Sequence, residues 1–376
     1  MSIVLPDRPG RARPGRSLRE GLRRIAEAAV TPLELDDVLD VFHPLRGGTP
    51  GLRGRIVEVR PETAEAATLV IKPGKDWAGH RPGQYVRVGV DVDGVRMWRT
   101  YSLTHGPRPD GCISITVKAI PDGVVSCYLV HRARPGQMLQ LDQAQGEFVL
   151  PDPLPEKLLL VTAGSGITPV IGMLRNLFSR AVPAMSGPER IVLLHSALTR
   201  DSVIFGPELR GYAARGLLRL VELHTDTDGL LDVSDLDRIV PDLAERTAYA
   251  CGPVGLLDAL EEHYAARELT LNVERFRPAT VVAGEGGTVT FEQTGTTLEA
   301  DGSTPILDAA ENAGVLMPSG CRMGICFGCV LPLKEGAVRD LRNGELTVAV
   351  PGETGPGGVP IQTCVSTAAG PCSIDH

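Results

Sequence analysis

The chain has 376 residues, of which 43% are hydrophobic, and carries a formal net charge of −8. That length supports two or three domains, each with its own core, and the acidic balance excludes a protein that coats nucleic acid, which needs a basic surface. Eight cysteines in so long a chain exclude a disulfide scaffold and point to a reducing cytoplasm.

Charge is unevenly spread. Residues 1–30 hold seven arginines against Asp7, Glu20 and Glu27, while from Glu285 onward eleven acidic residues face only Arg322, Lys334, Arg339 and Arg342. A basic head and an acidic tail predict two docking surfaces of opposite character. No apolar core follows the first residues, so no secretory signal is expected. Residues 1–15, rich in Pro, Gly and Arg, predict disorder. "SLREGLRRIAEAAV" then sets Leu18, Leu22, Ile25 and Ala29 on one helical face, and "TPLELDDVLDVF" opens with a capping-box spacing at Thr31 and Glu34. "RGGTPG" marks a boundary, giving an N-terminal extension over 1–48.

From 49 to 153 the chain reads as short alternating strands, "GRIVEVRP", "AATLVIK", "GQYVRVGV", "VRMWRTYSL" and "CISITVKAI", which predict an antiparallel β-barrel. Within it, "RTYSL" places Arg99, Tyr101 and Ser102 so that a cation, a ring and a hydroxyl line one strand end. Such a set suits a phosphate, a flavin face and a flavin N5 edge, although a strand with one solvent-facing Tyr is commoner. "VKAIPDGVVS" adds a turn at Gly123 and Ser126 before a helix start, a place where backbone amides favour an anion.

Over 154–278, "KLLLVTA", "RIVLLHSA", "LLRLVELH" and "TAYACGP" alternate with helical stretches and predict a parallel α/β domain. The uncharged run "LLLVTAGSGITPVIGML" is near the lower limit for a membrane span, but its central glycines read as a strand, a turn at Gly164-Ser165-Gly166 and a helix opening at Thr168-Pro169. The G-x-G-x-x-G fingerprint is absent. "CGP" at Cys251, Gly252 and Pro253 supplies a facing loop, and "ERF" ends the domain with Phe276 able to lie against a ring. After the second of these strands stand Ser196 and Arg200, where a dinucleotide site for NADH often has an acid on the ribose 2′-hydroxyl. A hydroxyl and an arginine favour NADPH over NADH, the alternative being that Arg200 simply pairs with Asp201 or Glu208.

Residues 284–376 return to strands with one helix and carry "PSGCRMGICFGCV" and "IQTCVS". Cys321, Cys326 and Cys329, with distant Cys364, have the C-x4-C-x2-C…C spacing of a plant-type 2Fe–2S site. The alternatives are a zinc site, which usually takes paired C-x-x-C hooks, or unliganded buried thiols. Cys112 and Cys127 read as buried apolar residues.

Taken in order, RxYS, GxxS, GSGITP, CGP, ERF and the cysteine loop resemble the ferredoxin–NADP reductase superfamily, in the fused flavin, nicotinamide and plant-type ferredoxin form found in oxygenase and desaturase reductases. The resemblance covers about 50–376. It implies a β-barrel flavin domain, an α/β nucleotide domain and a β-grasp ferredoxin domain. It also implies FAD rather than FMN, on the strength of the "VKAIPDGVVS" form. By the same resemblance Arg99, Tyr101, Ser102, Lys118, Gly123 and Ser126 bind flavin. Gly164, Gly166, Thr168, Cys251, Gly252 and Pro253 serve the nicotinamide half, Phe276 lies against the flavin, and Ser102 and Cys251 are closest to the chemistry. The implied partner is a terminal oxygenase, a fatty-acyl desaturase or a cytochrome P450. The basic N-terminal helix is a candidate for peripheral contact with the inner face of the membrane, against the alternative that it packs on the barrel. A redox sensor without a dedicated oxygenase is the competing class.

Overall fold

The computed structural model describes residues 43–48, 51–92, 94–121, 123–179, 185–276, 283–320, 322, 324, 327–352, 355 and 357–376. The helices expected over 18–42, and Cys321 and Cys326, lie outside the described residues.

Alternation of apolar and polar residues puts strands β1 (Leu52–Thr63), β2 (Ala66–Pro73), β3 (Tyr85–Val92), β4 (Val95–Ser102), β5 (Ile113–Lys118) and β6 (Met138–Leu141) into one antiparallel sheet, ordered β4-β3-β6-β1-β2-β5. The edges meet. Leu103 bridges Ile115, and the Thr104 amide donates to the Ser114 carbonyl at 2.9 Å, closing the sheet into a barrel. Ile56, Leu69, Val86, Val88 and Ile115 fill its interior, and helix α1 (Val124–His131) adds Val125 and Leu129. The four-residue strand β6 was not anticipated; it joins β1 to β3 and completes the barrel wall.

Strands β7 (Leu158–Ala163), β8 (Ile191–Ala197), β9 (Arg219–His224), β10 (Thr247–Cys251) and β11 (Leu271–Glu274) form a parallel sheet ordered β11-β10-β7-β8-β9. Both faces are covered, which is why β8 opens on four apolar residues and is buried throughout, its polar His195 and Ser196 included. Leu158 and Leu160 pack with helix α2 (Ile167–Leu177) on one side. Leu159 and Val161 pack with helix α5 (Val254–Ala265) on the other, and α3 (Gly206–Ala214) and α4 (Leu236–Ile239) complete the layers. The run 158–174 is thus a strand, a 3-10 turn and a helix, as its glycines predict. Among the described residues no helix is long and apolar enough to cross a membrane. The strand order reverses between β7 and β10, so the helices that follow them cover opposite faces and the loops leaving them line a crevice at the carboxyl edge of the sheet.

The third unit is a mixed sheet of β12 (Gly287–Phe291), β13 (Thr296–Ala300), β14 (Val330–Asp340), β15 (Leu346–Ala349), β16 (Val359–Gln362) and β17 (Ser366–Ile374), with helix α6 (Ile306–Asn312) sharing its core. Here β12 and β17 run parallel while the other pairs are antiparallel. This is the β-grasp arrangement.

The barrel and the parallel sheet are fastened at Leu103 and Thr104. Arg175 of α2 donates Nη1 to the Thr104 carbonyl at 2.8 Å and grips Glu208 with Nε and Nη2 at 2.9 and 2.6 Å. Glu208 also accepts from Tyr212, so it is unavailable to Arg200, contrary to the simpler pairing considered above. Gly172 faces the Leu103 carbonyl so closely that an added Cβ would lie 2.5 Å from that oxygen. Gly172→Ala is therefore expected to cost about 1–3 kcal/mol through overpacking. By contrast, Gly211→Ala on α3, where nothing lies within 4 Å, should gain up to about 1 kcal/mol from helix propensity. Denaturant midpoints of the two variants check both signs.

Candidate functional site: a trough at the sheet switch point

The crevice is lined by two loops. After β7 the chain turns through Gly164, at φ 54°, into a 3-10 turn over Gly164–Gly166, and α2 begins at Ile167. After β10 it turns through Gly252 and Pro253 into α5. At Gly166 an added Cβ would sit 2.1 Å from the Cys251 carbonyl oxygen; only glycine lets the loops approach this closely. Thr168 donates Oγ1 to the Ser165 carbonyl at 2.9 Å, bracing the turn. Cys251 itself is a core residue, aligned between Thr162 and Glu274 in the sheet register, wholly buried, with burial pushing its thiol well above the usual range. Its thiol lines none of the three cavities described below; the glycine and proline after it do.

The other wall is the end of β4. A cavity of about 150 Å³ is bounded by Tyr85, Tyr101, Ser102, Thr168, Glu274 and Phe276. Thr100, which shares this cavity, and Ser102 both have buried hydroxyls with no partner in the protein, and so does one carboxyl oxygen of Glu274. Buried polar atoms are rarely left unpaired. Three converging on one cavity mark the seat of a polar, flat ligand edge, and the residues present fit a flavin ring. Burial pushes the Glu274 carboxyl up to about 8, so near neutral pH it is a protonated acid able to donate. The sequence reading used "ERF" for Phe276 and passed over Glu274. Its only signal was an acid next to the aromatic at the domain end, because the pairing with β10 that buries it is long-range.

A larger cavity of about 720 Å³ continues from the first, sharing Lys118, Ile120, Ser165 and Phe276, and extending to Cys127, Gly164 and Gly252. Lys118 faces Glu65 at 3.7 Å, and Phe276 stands 37% exposed between the two cavities. Gly123 and Ser126 do not line it. The Ser126 hydroxyl donates to the Gly123 carbonyl at 3.1 Å and accepts from the Ile120 amide at 3.3 Å, closing its own turn. Cys112 and Cys127 are partly exposed rather than buried, a departure from the expectation: Cys112 stands just before β5, and Cys127 lines the larger cavity.

A third cavity, of about 390 Å³, shares Ala163, Gly164 and Pro253 with the second and runs over Ser196, Leu198, Thr225 and Leu230. No carboxylate lines it. Ser196 is buried at its wall, while Arg200 is exposed on the next turn, without an ion pair among the described residues. The three cavities form one trough, with a ring-sized pocket at one end and an apolar slot at the other.

Arg99 points elsewhere. Its Nη1 donates to the Trp98 carbonyl at 2.8 Å, and its Nη2 lies 3.8 Å from Glu311 on α6 of the third unit. Glu311 also binds Arg322 of the cysteine loop, which holds Asp308 at 2.5 Å as well. Burial, followed by the charge of Arg322, draws the Arg99 pKa below its ordinary value. The strand that carries Tyr101 and Ser102 therefore abuts the cysteine loop.

That loop curls through left-handed residues at Arg322, Gly324 and Phe327, with φ of 59°, 72° and 56°. Cys329 and Cys364 are buried at 1% and 3% exposure, and Thr363 ties them together by donating both its amide and its hydroxyl to the Cys329 carbonyl, at 3.3 and 2.9 Å. Two buried cysteines tied together by Thr363, with Arg342 beside them, fit a thiolate-held, anionic iron–sulfur cluster. Cys372 is a core residue of the β-grasp sheet, its thiol pushed up to about 11 by burial.

The sequence matches the oxidoreductase FAD-binding domain over residues 62–150, the oxidoreductase NAD-binding domain over 160–262 and the 2Fe-2S iron-sulfur cluster binding domain over 289–369. It is 45% identical to an NADPH oxidoreductase of Mycobacterium tuberculosis, over 94% of this chain and 92% of that protein. It is 32% identical to the NADH oxidoreductase HCR of Escherichia coli, over 76% of this chain and 86% of that one. With the ferredoxin reductase component of a 3-ketosteroid-9-alpha-monooxygenase from Mycolicibacterium smegmatis it shares 29% identity, over 77% and 88%. Phthalate dioxygenase reductase has the same fold, with a TM-score of 0.57 at 22% identity over 86% of this chain and 97% of that one. The chain belongs to the ferredoxin–NADP reductase superfamily, as a fused FAD, nicotinamide and 2Fe–2S NAD(P)H oxidoreductase.

Proposed function

We propose that the chain draws electrons from NADPH and passes them, through FAD and the 2Fe–2S cluster, to a partner oxygenase. The observation that carries this reading is the unbroken trough from Ser102 to Ser196, whose flavin end abuts the cysteine loop through Arg99 and Glu311. Bound FAD supplies the conversion between the paired electrons of a nicotinamide and the single electrons a cluster accepts.

The residues supply position and electrostatics. Ser102 and Thr100 meet the polar edge of the ring, Tyr101 backs its face and Phe276 shields it from water. Lys118 and the amides around Gly164 and Gly166 favour phosphate. Thr168, with the Gly252-Pro253 loop, holds the nicotinamide against the ring. Cys251 serves through its backbone, as the packing partner of Gly166. Protonated Glu274 hydrogen-bonds into the same pocket and adds no charge to it.

NADPH is favoured over NADH because no acid lines the third cavity, where Ser196 and, beyond it, Arg200 suit a 2′-phosphate. The Mycobacterium tuberculosis relative is named for NADPH and the Escherichia coli one for NADH, so the choice belongs to these residues. An oxygenase acceptor is favoured by the reductase component named among the relatives. A desaturase acceptor, and membrane contact, depend on residues 1–42, outside the described part of the chain.

Iron and acid-labile sulfide at two each per chain, with rapid NADPH-dependent reduction of an added one-electron acceptor, would support the reading. One zinc, or cofactor reduction without turnover, would sink it in favour of a flavin reductase or a sensor. Arg200→Ala should raise KM for NADPH about tenfold, about 1.4 kcal/mol, and leave KM for NADH unchanged; equal effects on both would remove the 2′-phosphate role. Ser102→Ala should slow flavin reduction by about tenfold to a hundredfold with little loss of bound flavin, as stopped-flow absorbance would read. For Glu274 the folded protein binds the proton more tightly than the unfolded chain, so its contribution is present below pH 4.5 and is lost as pH rises towards 8. Glu274→Gln should therefore match the wild type at pH 4.5 and exceed it by about 2–4 kcal/mol at pH 9, measured by urea unfolding of the flavin-free protein.

A further inference from the structure

Arg342 lies on the turn between β14 and β15, outside every motif considered so far. Its Nη1 donates to the Gly324 carbonyl at 3.2 Å, and its Nη2 donates to Gln362 Oε1 at 3.1 Å. Gln362 closes the triangle by donating Nε2 to the same Gly324 carbonyl at 2.9 Å. One cation thus ties the loop between Cys321 and Cys326 to the strand end that leads into Cys364. The contact is intimate: Gly324 is left-handed, and a Cβ there would lie 2.2 Å from Arg342 Nη1. The Arg342 pKa is raised, first by its hydrogen bond to Asp340, with burial opposing, and then by the charges of Asp340, Cys364 and Cys329.

The two arginines at this loop are not equivalent. Arg322 is held by two carboxylates, Asp308 and Glu311. Arg342 is held by one, Asp340, at 2.6 Å. Asp340 sits on the Nε–Nη2 edge of the guanidinium, while Nη1 faces the loop. The ion pair is therefore a dipole whose positive end is turned to the cysteines.

We propose that Arg342 sets the reduction potential of the 2Fe–2S cluster, its charge stabilising the one extra electron of the reduced form. The inference rests on the cluster assignment made above. The electron comes from the flavin and resides on the cluster, and no proton or bond change is required. Removing the charge lowers the equilibrium constant for cluster reduction, so reduced flavin accumulates ahead of the cluster.

The test is a potentiometric titration of the full-length chain, loaded with FAD and cluster, followed by electron paramagnetic resonance of the reduced cluster. Iron and sulfide are assayed in each sample. Arg342→Gln should weaken cluster reduction about tenfold, a fall of about 59 mV for one electron, and leave the rate of flavin reduction by NADPH unchanged. Arg342→Lys should keep most of the wild-type potential. If the glutamine variant loses iron, Gln362→Glu carries the test, because a carboxylate there neutralises Arg342 in place and should lower the potential in the same direction. Equal potentials in fully loaded wild type and Arg342→Gln would overturn the proposal. So would a lysine variant that falls as far as glutamine, which would make Arg342 a clamp and not a charge. A wild type with no iron or sulfide would overturn the cluster reading first.

Discussion

No side chain fits between residue 166 and the carbonyl of Cys251. That one close approach, at the point where the parallel sheet changes direction, governs the rest of the site. It holds the loop after β7 against the loop after β10, so that their amides and the Gly252-Pro253 turn share one lip. It also explains why Cys251 is buried: the residue is there to be packed against. With a larger residue at 166 the two loops would separate, and the three cavities would cease to be one trough.

Electrostatics then separates the pocket beside β4, lined by a single cation, Lys118, from a cysteine loop dense in ion pairs. In the pocket the only ionisable acid, Glu274, is kept protonated by burial. At the cysteine loop Asp308, Glu311 and Asp340 hold Arg322 and Arg342 in fixed positions. The pocket keeps one cation, Lys118, and no charged acid, while at the cysteine loop the cations are anchored by carboxylates.

Much of this was legible in the sequence. The spacing of Cys321, Cys326 and Cys329 is local, so it points to a 2Fe–2S cluster whatever the fold around it, while Cys364 comes from far along the chain. Strands β7 and β8 each open on four consecutive apolar residues because both faces are covered, and that pattern survives without any partner being known. The parts that were not legible depend on pairing across the chain. Strands β6 and β11 have four residues each, too few to show a period. Glu274 looks like an ordinary surface acid until β11 lies beside β10. The direction of Arg99 is set by a helix more than 200 positions away. Ser126 illustrates the opposite error: the motif was read correctly as a turn before a helix, but the hydroxyl is spent on its own loop.

Leu103 follows directly on Ser102. Within three residues the chain supplies the buried hydroxyl of the pocket, the bridge to Ile115 that seals the barrel, the carbonyl that meets Gly172, and the Thr104 carbonyl that Arg175 grips. Ring shelf, seam and interdomain fastening are one splint. The nucleotide-binding half cannot rock on the barrel without dragging that shelf along, so the spacing between the two redox rings is as stiff as the barrel seam itself.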